Sequence, residues 1–426
     1  MKPVMNHQKF RIARFLMFVA FSLFGACIFA YTQSWNLLQR FGEGAPVGLA
    51  WVFLFLPGIL FAPALKVVTE RLGETRTLLG AEVAKPLLFS SFLILNPDTM
   101  ASYLILALAF GLLFVPFYPL VYKVMSNEQL DNSDSSELEN TKKSLQWSGK
   151  LETVVQTSSL AAGFFGNYVF DLVHFSGLLW LASVSSIVSI FVLPKSHSAP
   201  KAEREKLAGA IMLSYRNSLR NLFQLIANSQ TKKDKVLGQS FVHSIPGSVI
   251  MASNIPVGFY VLQIMQSNSK TLAWIELIFA SASFISGALC VKYPQWFTGR
   301  FSHIGFTLAA AFFVFCLTYF GAGYTLPYLL FFAFGFFISL TKIQGRSLFL
   351  SSVPRVSIND FTFGTQAFGN MLNISLFGLF QISRDPITNY HILAGAMILY
   401  SFLFYIVTRQ DDSSKLKLDE PLKGKS

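Results

Sequence analysis

Twelve apolar runs, each roughly 18–30 residues long and divided by polar loops, leave this chain few ways to fold. Inside a bilayer every backbone polar group must be paired within the protein, so runs of this length read as membrane-spanning helices. They lie at 10–33, 46–66, 77–95, 99–122, 151–171 and 175–193, and resume at 236–265, 271–291, 303–320, 325–345, 360–382 and 388–408. Charged residues make up 13% of the chain, against about 25% in a typical globular domain. That deficit excludes a soluble enzyme and predicts an all-α polytopic membrane protein with twelve transmembrane helices. Pro246, Pro256 and Glu276 interrupt the first runs of the second half. Membrane helices tolerate such residues where neighbours or a water-filled cavity satisfy the freed groups.

The formal charge of +12 raises the question of an anionic partner. Placing the basic residues answers it. With the N-terminus inside, Lys2, Lys9, Arg11 and Arg14 precede the first run, and the loops after the even-numbered runs carry many more. Together with the tail, 30 of the 34 basic residues fall on that side. The other side holds Arg40, Lys270 and Arg384, and Lys85 lies within the third run. This asymmetry follows the positive-inside rule and predicts both termini in the cytoplasm. The charge is spread along the chain instead of forming one basic patch, so anionic lipid is the expected partner and nucleic acid is not. Cys27, Cys290 and Cys316 fall inside apolar runs without metal-ligand spacing and read as inert thiols. The apolar stretch Phe15–Ala30 is longer than a signal-peptide core and further spans follow, so no cleaved leader is expected.

Six runs stand on each side of a long polar stretch. The division predicts an N-terminal six-helix bundle over 1–193, a cytoplasmic linker over 194–235, a C-terminal six-helix bundle over 236–408 and a cytoplasmic tail over 409–426. In the linker, Leu207, Ile211, Leu219, Leu222, Phe223 and Ile226 recur near helical spacing among basic residues, as in an amphipathic helix at a membrane surface. Plain tethering is the simpler reading of the same segment. The loop from Asn127 to Lys150 opens acidic and turns basic, a polar insertion. The halves also share short matches in the same order. Ala109-Phe110-Gly111 pairs with Ala333-Phe334-Gly335, Phe165-Gly166-Asn167 with Phe368-Gly369-Asn370, and Gly73 with Gly299. Parallel halves around a site at their interface form a recurring transporter plan.

Twelve spans, cytoplasmic termini, a long central loop and two related halves together resemble the major facilitator superfamily. That family carries Gly-x-x-x-Asp-Arg-x-Gly-Arg-Arg/Lys in the loop after its second span. The corresponding stretch here is Glu70-Arg71-Leu72-Gly73-Glu74-Thr75-Arg76. Glu70 stands where the family has Asp, Arg71 and Gly73 are kept, and Lys66, Glu74 and Thr75 depart from the pattern. The resemblance implies a gate at Glu70, Arg71, Gly73 and Arg76, where a Gly turn presents charges that latch the two halves. Positive-inside charge plus a turn would account for the same residues without a gate. Val115-Pro116-Phe117-Tyr118-Pro119 at the end of the fourth run is similar to the Phe-x-Pro element of the siderophore and macrolide exporter branch. Proton-driven exporters carry Gly-Pro-x-x-Gly-Gly in the fifth span; here Ala162-Gly163-Phe164-Phe165-Gly166-Asn167 keeps one position.

Polar groups inside the runs are the candidate chemistry, because a bilayer makes them costly. Glu276 shares a stripe of the eighth run with Ala280, Ser283 and Gly287. A carboxylate there exchanges a proton, meets a cationic ligand group, or merely reaches the outer headgroups. Gln366, Asn370 and Asn373 share one face of the eleventh run with Thr362. Glu152, Gln156, Ser159, Gly163 and Asn167 share one face of the fifth. Stripes of this kind line a cavity or join helices, and Glu152 also suits a helix N-terminus. Asn254 beside Pro256 marks a hinge or a binding group in the seventh run. Glu82 and Lys85 have the spacing of a local ion pair near the cytoplasmic surface. His243 reads as structural, Asp171 and His174 as flanks of a water-facing turn, and Lys342 and Arg346 as cytoplasmic charges ending the tenth run or joining gate pairs.

No Gly-x-x-x-x-Gly-Lys-Ser/Thr loop occurs, which argues against an ATP-driven pump in one chain. The six His residues are dispersed and form no catalytic grouping. The expectation is a monomeric secondary transporter of the cell membrane, without enzymatic activity, cofactor or bound metal, in a setting such as a bacterial inner membrane. It would export a small amphipathic molecule, siderophore- or drug-like, by proton-coupled alternating access, that is, by antiport. Substrate or coupling roles fall to Glu276, Asn254, Gln156, Asn167, Gln366, Asn370 and Asn373. An uptake carrier or lipid transporter of the same fold, a non-transporting receptor and a membrane-embedded lipid enzyme stay open as alternatives.

Overall fold

The computed structural model describes residues 2–42, 46–95, 99–129, 137–193, 209–215, 232–297, 300–320, 325–352, 358–383 and 385–416. Gly299, Arg384, the side chains of His243 and Thr362, residues 130–136 of the loop after Asn127 and most of the linker lie outside the described residues. Those residues form α1 (Lys2–Phe41), α2 (Val47–Leu60), α3 (Ala62–Leu72), α4 (Glu74–Leu95), α5 (Met100–Phe114), α6 (Phe117–Gln129) and α7 (Glu137–Val192). After a short α8 at 209–215 follow α9 (Lys232–Phe259), α10 (Ser269–Lys292), α11 (Arg300–Phe320), α12 (Leu326–Ser352), α13 (Ile358–Ser383) and α14 (Pro386–Leu416). Among the described residues nine helices are long and apolar enough to cross a bilayer, or up to ten with α2 and α3 taken as one bent span. The long α7 covers two of the expected spans and doubles back at His174, whose φ of 55° breaks the helix. The amide-bearing α13 is not in that apolar set.

Proline explains most of the remaining irregularity. Helices α2 and α3 meet at Phe61 with a bend of 58°, where Pro63 has no N–H to continue the ladder. Pro116 divides α5 from α6 in the same way. Pro256 precedes a π turn at Tyr260–Ile264, closed by the Met265 N–H donating to the Tyr260 carbonyl at 3.0 Å.

Lipid removes most of the hydrophobic drive for helix association, so close approach of small residues does the packing. The first of the matched tripeptides shows how. A Cβ on Gly111 of α5 would lie 2.1 Å from the Leu54 carbonyl oxygen of α2, and one on Gly335 of α12 would lie 2.8 Å from that of Phe279 in α10. The two glycines are 224 positions apart and the two carbonyls 225, so one helix contact recurs in register in each half. The Phe-Gly-Asn match does not recur this way. Gly166 faces Thr32 toward the end of α1, whereas Gly369 faces Ser244 and Ser248, well before the end of α9.

Helices α1 to α7 pack among themselves, as do α9 to α14, and the two sets meet along two antiparallel seams. We call the face from which α1 enters the terminal face and the opposite one the far face. Along the α2–α13 seam the Gly48 N–H donates to Gln381 Oε1 at 2.9 Å, and Trp51 and Phe55 each lie 5.6 Å from the Phe377 ring. Along the α7–α10 seam, Gly149 and Gly287 bring backbone against backbone: a Cβ on either would come within about 3 Å of the other's carbonyl oxygen. Phe164 meets Trp274 edge-on at 5.6 Å farther along the same seam.

Each half also buries a polar cluster of its own. Glu82 and Lys85 pair at 2.5 Å as expected, yet both are 1% exposed and lie in the interior, not near a surface. Ser22 and Ser189 donate to the two carboxylate oxygens at 2.6 and 3.0 Å, so α1 and the second leg of α7 complete the pair. In the second half His303 is held between Gln344 and Tyr400. Replacing Gly111 with Ala forces α5 away from α2 and should cost about 1–3 kcal/mol, the usual range for overpacking. Gly335→Ala should cost less, and Gly80→Ala, which meets open space, nothing. Thermal melts of the three purified variants check the order.

Candidate functional site

Between the two seams lies a central cavity of about 230 Å³. Aromatic side chains form part of its wall: Trp51, Phe55, Phe110, Phe114, Phe279, Phe331 and Phe334, with Tyr31, Tyr118 and Tyr122. Six of the seven expected site residues line it, namely Glu276, Asn254, Gln156, Gln366, Asn370 and Asn373. Asn167 does not; it is buried elsewhere, with neither side-chain atom hydrogen-bonded among the described residues.

Glu276 is inside the protein and not at the headgroups. Its Oε2 is buried without a hydrogen-bond partner among the described residues. The carboxylate lies over Gly163 of α7, so close that a Cβ there would sit 2.0 Å from Oε2. A second pocket of about 20 Å³ shares Tyr31, Trp51, Asn254 and Glu276 with the cavity and continues to Ser34, Trp35 and Leu38 on the far side. That volume is about enough for one water. On the other seam, Asn370 lies over Gly58, whose added Cβ would meet its Nδ2 at 1.7 Å. Gln366 Oε1 and Asn373 Oδ1 are likewise buried and unpartnered.

The terminal-face end of the cavity carries two charges that the sequence left as helix-end cations or members of gate pairs, and the second alternative is the nearer one. Lys342 and Arg346 do not end their helix in the cytoplasm: α12 runs on to Ser352, and both side chains turn into the cavity wall. Glu152 of α7 makes their burial possible. Its Oε1 accepts from Lys342 Nζ at 3.0 Å and from Gln156 Nε2 at 2.6 Å, and its Oε2 accepts from Arg346 Nη2 at 2.9 Å. Arg346 also reaches the Ser148 carbonyl at 3.4 Å and stands 5.7 Å from the Tyr122 ring. Glu152 is fully buried, so this cluster is a largely buried ion pair joining the two halves. The signal was partial: Lys342 lies inside the tenth apolar run and Arg346 one turn on, just past its end.

The candidate gate residues lie at the terminal face. Gly73 ends α3 with φ 83°, and its N–H donates to the Thr69 carbonyl at 2.8 Å. Glu74 pairs with Lys123 at 2.5 Å, tying α4 to α6 within the first half. Glu70 is 4.0 Å from Lys66 on its own helix, and Arg76 is exposed. Short α8 docks at the nearby α2–α3 break, with Ser214 Oγ donating to the Pro63 carbonyl at 3.1 Å and the Tyr215 hydroxyl to that of Leu60. Among the described residues no three His, Cys, Asp or Glu side chains gather as metal ligands.

Removing one member of a buried ion cluster strands the others. Glu152→Gln should therefore destabilise the protein by about 3–5 kcal/mol, and Lys342→Met introduced beside it should restore part of the loss. Melting of the single and double variants in detergent measures both.

No family model and no curated protein sequence matches this chain. Solved structures do. The human organic anion transporter MFSD10 superposes with a TM-score of 0.69 at 10% identity, covering 95% of this chain and 100% of that one. The proton:xylose symporter XylE, a major facilitator superfamily protein solved with 6-bromo-6-deoxy-D-glucose, gives 0.68 at 12% identity over 93% and 96%. The nucleoside transporter NupG gives 0.61 at 15% identity over 93% and 99%. At these identities the likeness speaks for the fold, and the fold of this chain is that of the major facilitator proteins.

Proposed function

We propose that the chain is a secondary transporter in which the two six-helix sets, 1–193 and 236–408, rock about the central cavity and couple the passage of a small amphipathic molecule to protons. The observation that carries this reading is Glu276: a carboxylate with a buried, unpartnered oxygen, in an aromatic chamber between two helix sets. An uncompensated acid inside a membrane domain is expensive and persists where it works. The aromatic wall suits the apolar body of a ligand, and the amides of Gln366, Asn370 and Asn373 suit its polar groups. Contacts between the two helix sets flank the cavity toward both faces, as a carrier that rocks about its site requires. The far end is held by Gly48–Gln381 and the terminal end by Gly149–Gly287 and the Glu152 cluster.

The solved neighbours add breadth without choosing a substrate, since their names include an organic anion, a nucleoside and a sugar. On this reading both termini and the linker 194–235 are cytoplasmic, in agreement with the basic loops, and α8 helps hold the bent second span. Export of a drug- or siderophore-like molecule rests on the α5–α6 break, whose Val115 and Tyr118 line the cavity.

Flux into proteoliposomes of the full chain tests the reading, with a panel of labelled aromatic acids, amides and amines and an imposed pH gradient. At least one solute should accumulate in response to the gradient. Glu276→Gln should reduce that movement to the level seen without a gradient. Absence of flux across the panel, or flux that ignores the gradient, would contradict it.

A further inference from the structure

The charges around the cavity constrain what it carries. The charged side chains lining it, among the described residues, are Glu276, Lys342 and Arg346. Behind them stands Glu152, both of whose oxygens are already taken by the two cations and Gln156. Glu152 neutralises one of the two positive charges. The second has no counterpart except Glu276, about 16 Å farther along α7 at the 1.5 Å rise of a helix, opposite Gly163. Arg346 is 1% exposed, yet its Nε has no hydrogen-bond partner among the described residues. Lys342, 12% exposed, borders the open chamber.

The groups that face Glu276 itself carry no opposite charge. Helix α1 brings Cys27 and Tyr31, α2 brings Trp51, α7 brings Gly163 and α9 brings Asn254. Helix α12 supplies the two cations at the other end. The chamber is therefore neutral when Glu276 is ionised and carries one net positive charge when it is protonated.

Burying net charge in a low-dielectric interior is costly, so the states that cross the membrane favour a neutral chamber. A cationic ligand on an ionised Glu276 leaves one positive charge. An uncharged ligand leaves the chamber neutral without needing a proton. A monoanion bound together with a proton leaves it neutral as well, and it alone links ligand to proton. We propose that the cavity takes a monoanionic amphipathic ligand together with one proton, the anion on Lys342 and Arg346 and the proton on Glu276. This assignment rests on the transporter reading and makes the coupling a symport, in place of the antiport expected from the exporter resemblance. The anion also competes with Glu152 for Lys342, so binding loosens the ion pair that joins α7 to α12.

Three probes of one shape separate the possibilities: 1-naphthoate, 1-naphthamide and 1-naphthylmethylammonium. Binding to the full chain in detergent is read by quenching of tryptophan fluorescence, since Trp51 lines the cavity, and proton uptake by the pH of a weakly buffered solution. Naphthoate should bind at least about tenfold more tightly than the other two, with proton uptake that rises toward one per anion as the pH is raised into the range where the empty carboxylate is ionised. Glu276→Gln should still bind naphthoate but without the uptake, and Lys342→Gln should weaken it about tenfold. A preference for the ammonium or the amide, equal or absent binding of all three, or naphthoate binding without proton uptake overturns the assignment. If the ammonium binds and its flux follows a pH gradient, the anion assignment fails while proton-coupled transport stands.

Discussion

The crossing of α7 over α10 at Gly149 and Gly287 is the contact on which the working parts depend. Two backbones touch there because neither residue has a side chain. Any larger residue would separate the helices and, with them, the two halves. Three residues on, Glu152 reaches the cations of α12. About three turns farther, Gly163 leaves the space that the Glu276 carboxylate occupies. The α2–α13 seam repeats the device, with Gly58 giving way to Asn370. Each seam thus uses a missing Cβ to place a polar side chain at the edge of the cavity.

Three carboxylates inside the helix sets show how the molecule grades its polar groups. Glu82 is answered inside its own half by Lys85, Ser22 and Ser189, and such a closed set can hold the scaffold through any movement of the halves. Glu152 is answered across the interface, so its bonds last only while α7 and α12 stay together. Among the described residues no opposite charge in its surroundings answers Glu276. The sequence of satisfied, conditionally satisfied and unsatisfied follows the path from frame to latch to site. The cost of leaving Glu276 open is what a ligand or a proton can relieve.

Much of this was legible before the structure because membrane folds advertise themselves through length and charge. The apolar runs lie where the helices form, and the two amide stripes and Glu276 were recognisable as costly groups in apolar surroundings. What stayed hidden depended on where helices cross. Ala109-Phe110-Gly111 and its partner were visible as a repeat, but only the carbonyls of Leu54 and Phe279 explain them. The Phe-Gly-Asn repeat looked equally good and proved to sit at different depths, because three residues in a Phe-rich chain carry too little information. Lys342 and Arg346 were counted with the topology-setting charges, with gate pairs as the alternative, since a basic residue at the end of an apolar run cannot be told from a buried one without its partner. That partner, Glu152, lies 190 positions away from Lys342. The aromatic wall was illegible for a simpler reason: with 45 Phe residues, no single one stands out.

The account turns on movement of one half against the other about Glu276, and distances between spin labels on opposite halves test it most directly. Labels at Leu95 and Ile382 report the far face, and labels at Leu72 and Phe301 the terminal face; all four side chains are exposed. With the native cysteines replaced, double electron–electron resonance in nanodiscs gives both distance distributions across pH. Lowering pH should shorten one mean distance as it lengthens the other, and Glu276→Gln should hold the pair at the low-pH values throughout. Distances that stay fixed across pH, or change in the same sense at both faces, would contradict alternating access governed by this carboxylate.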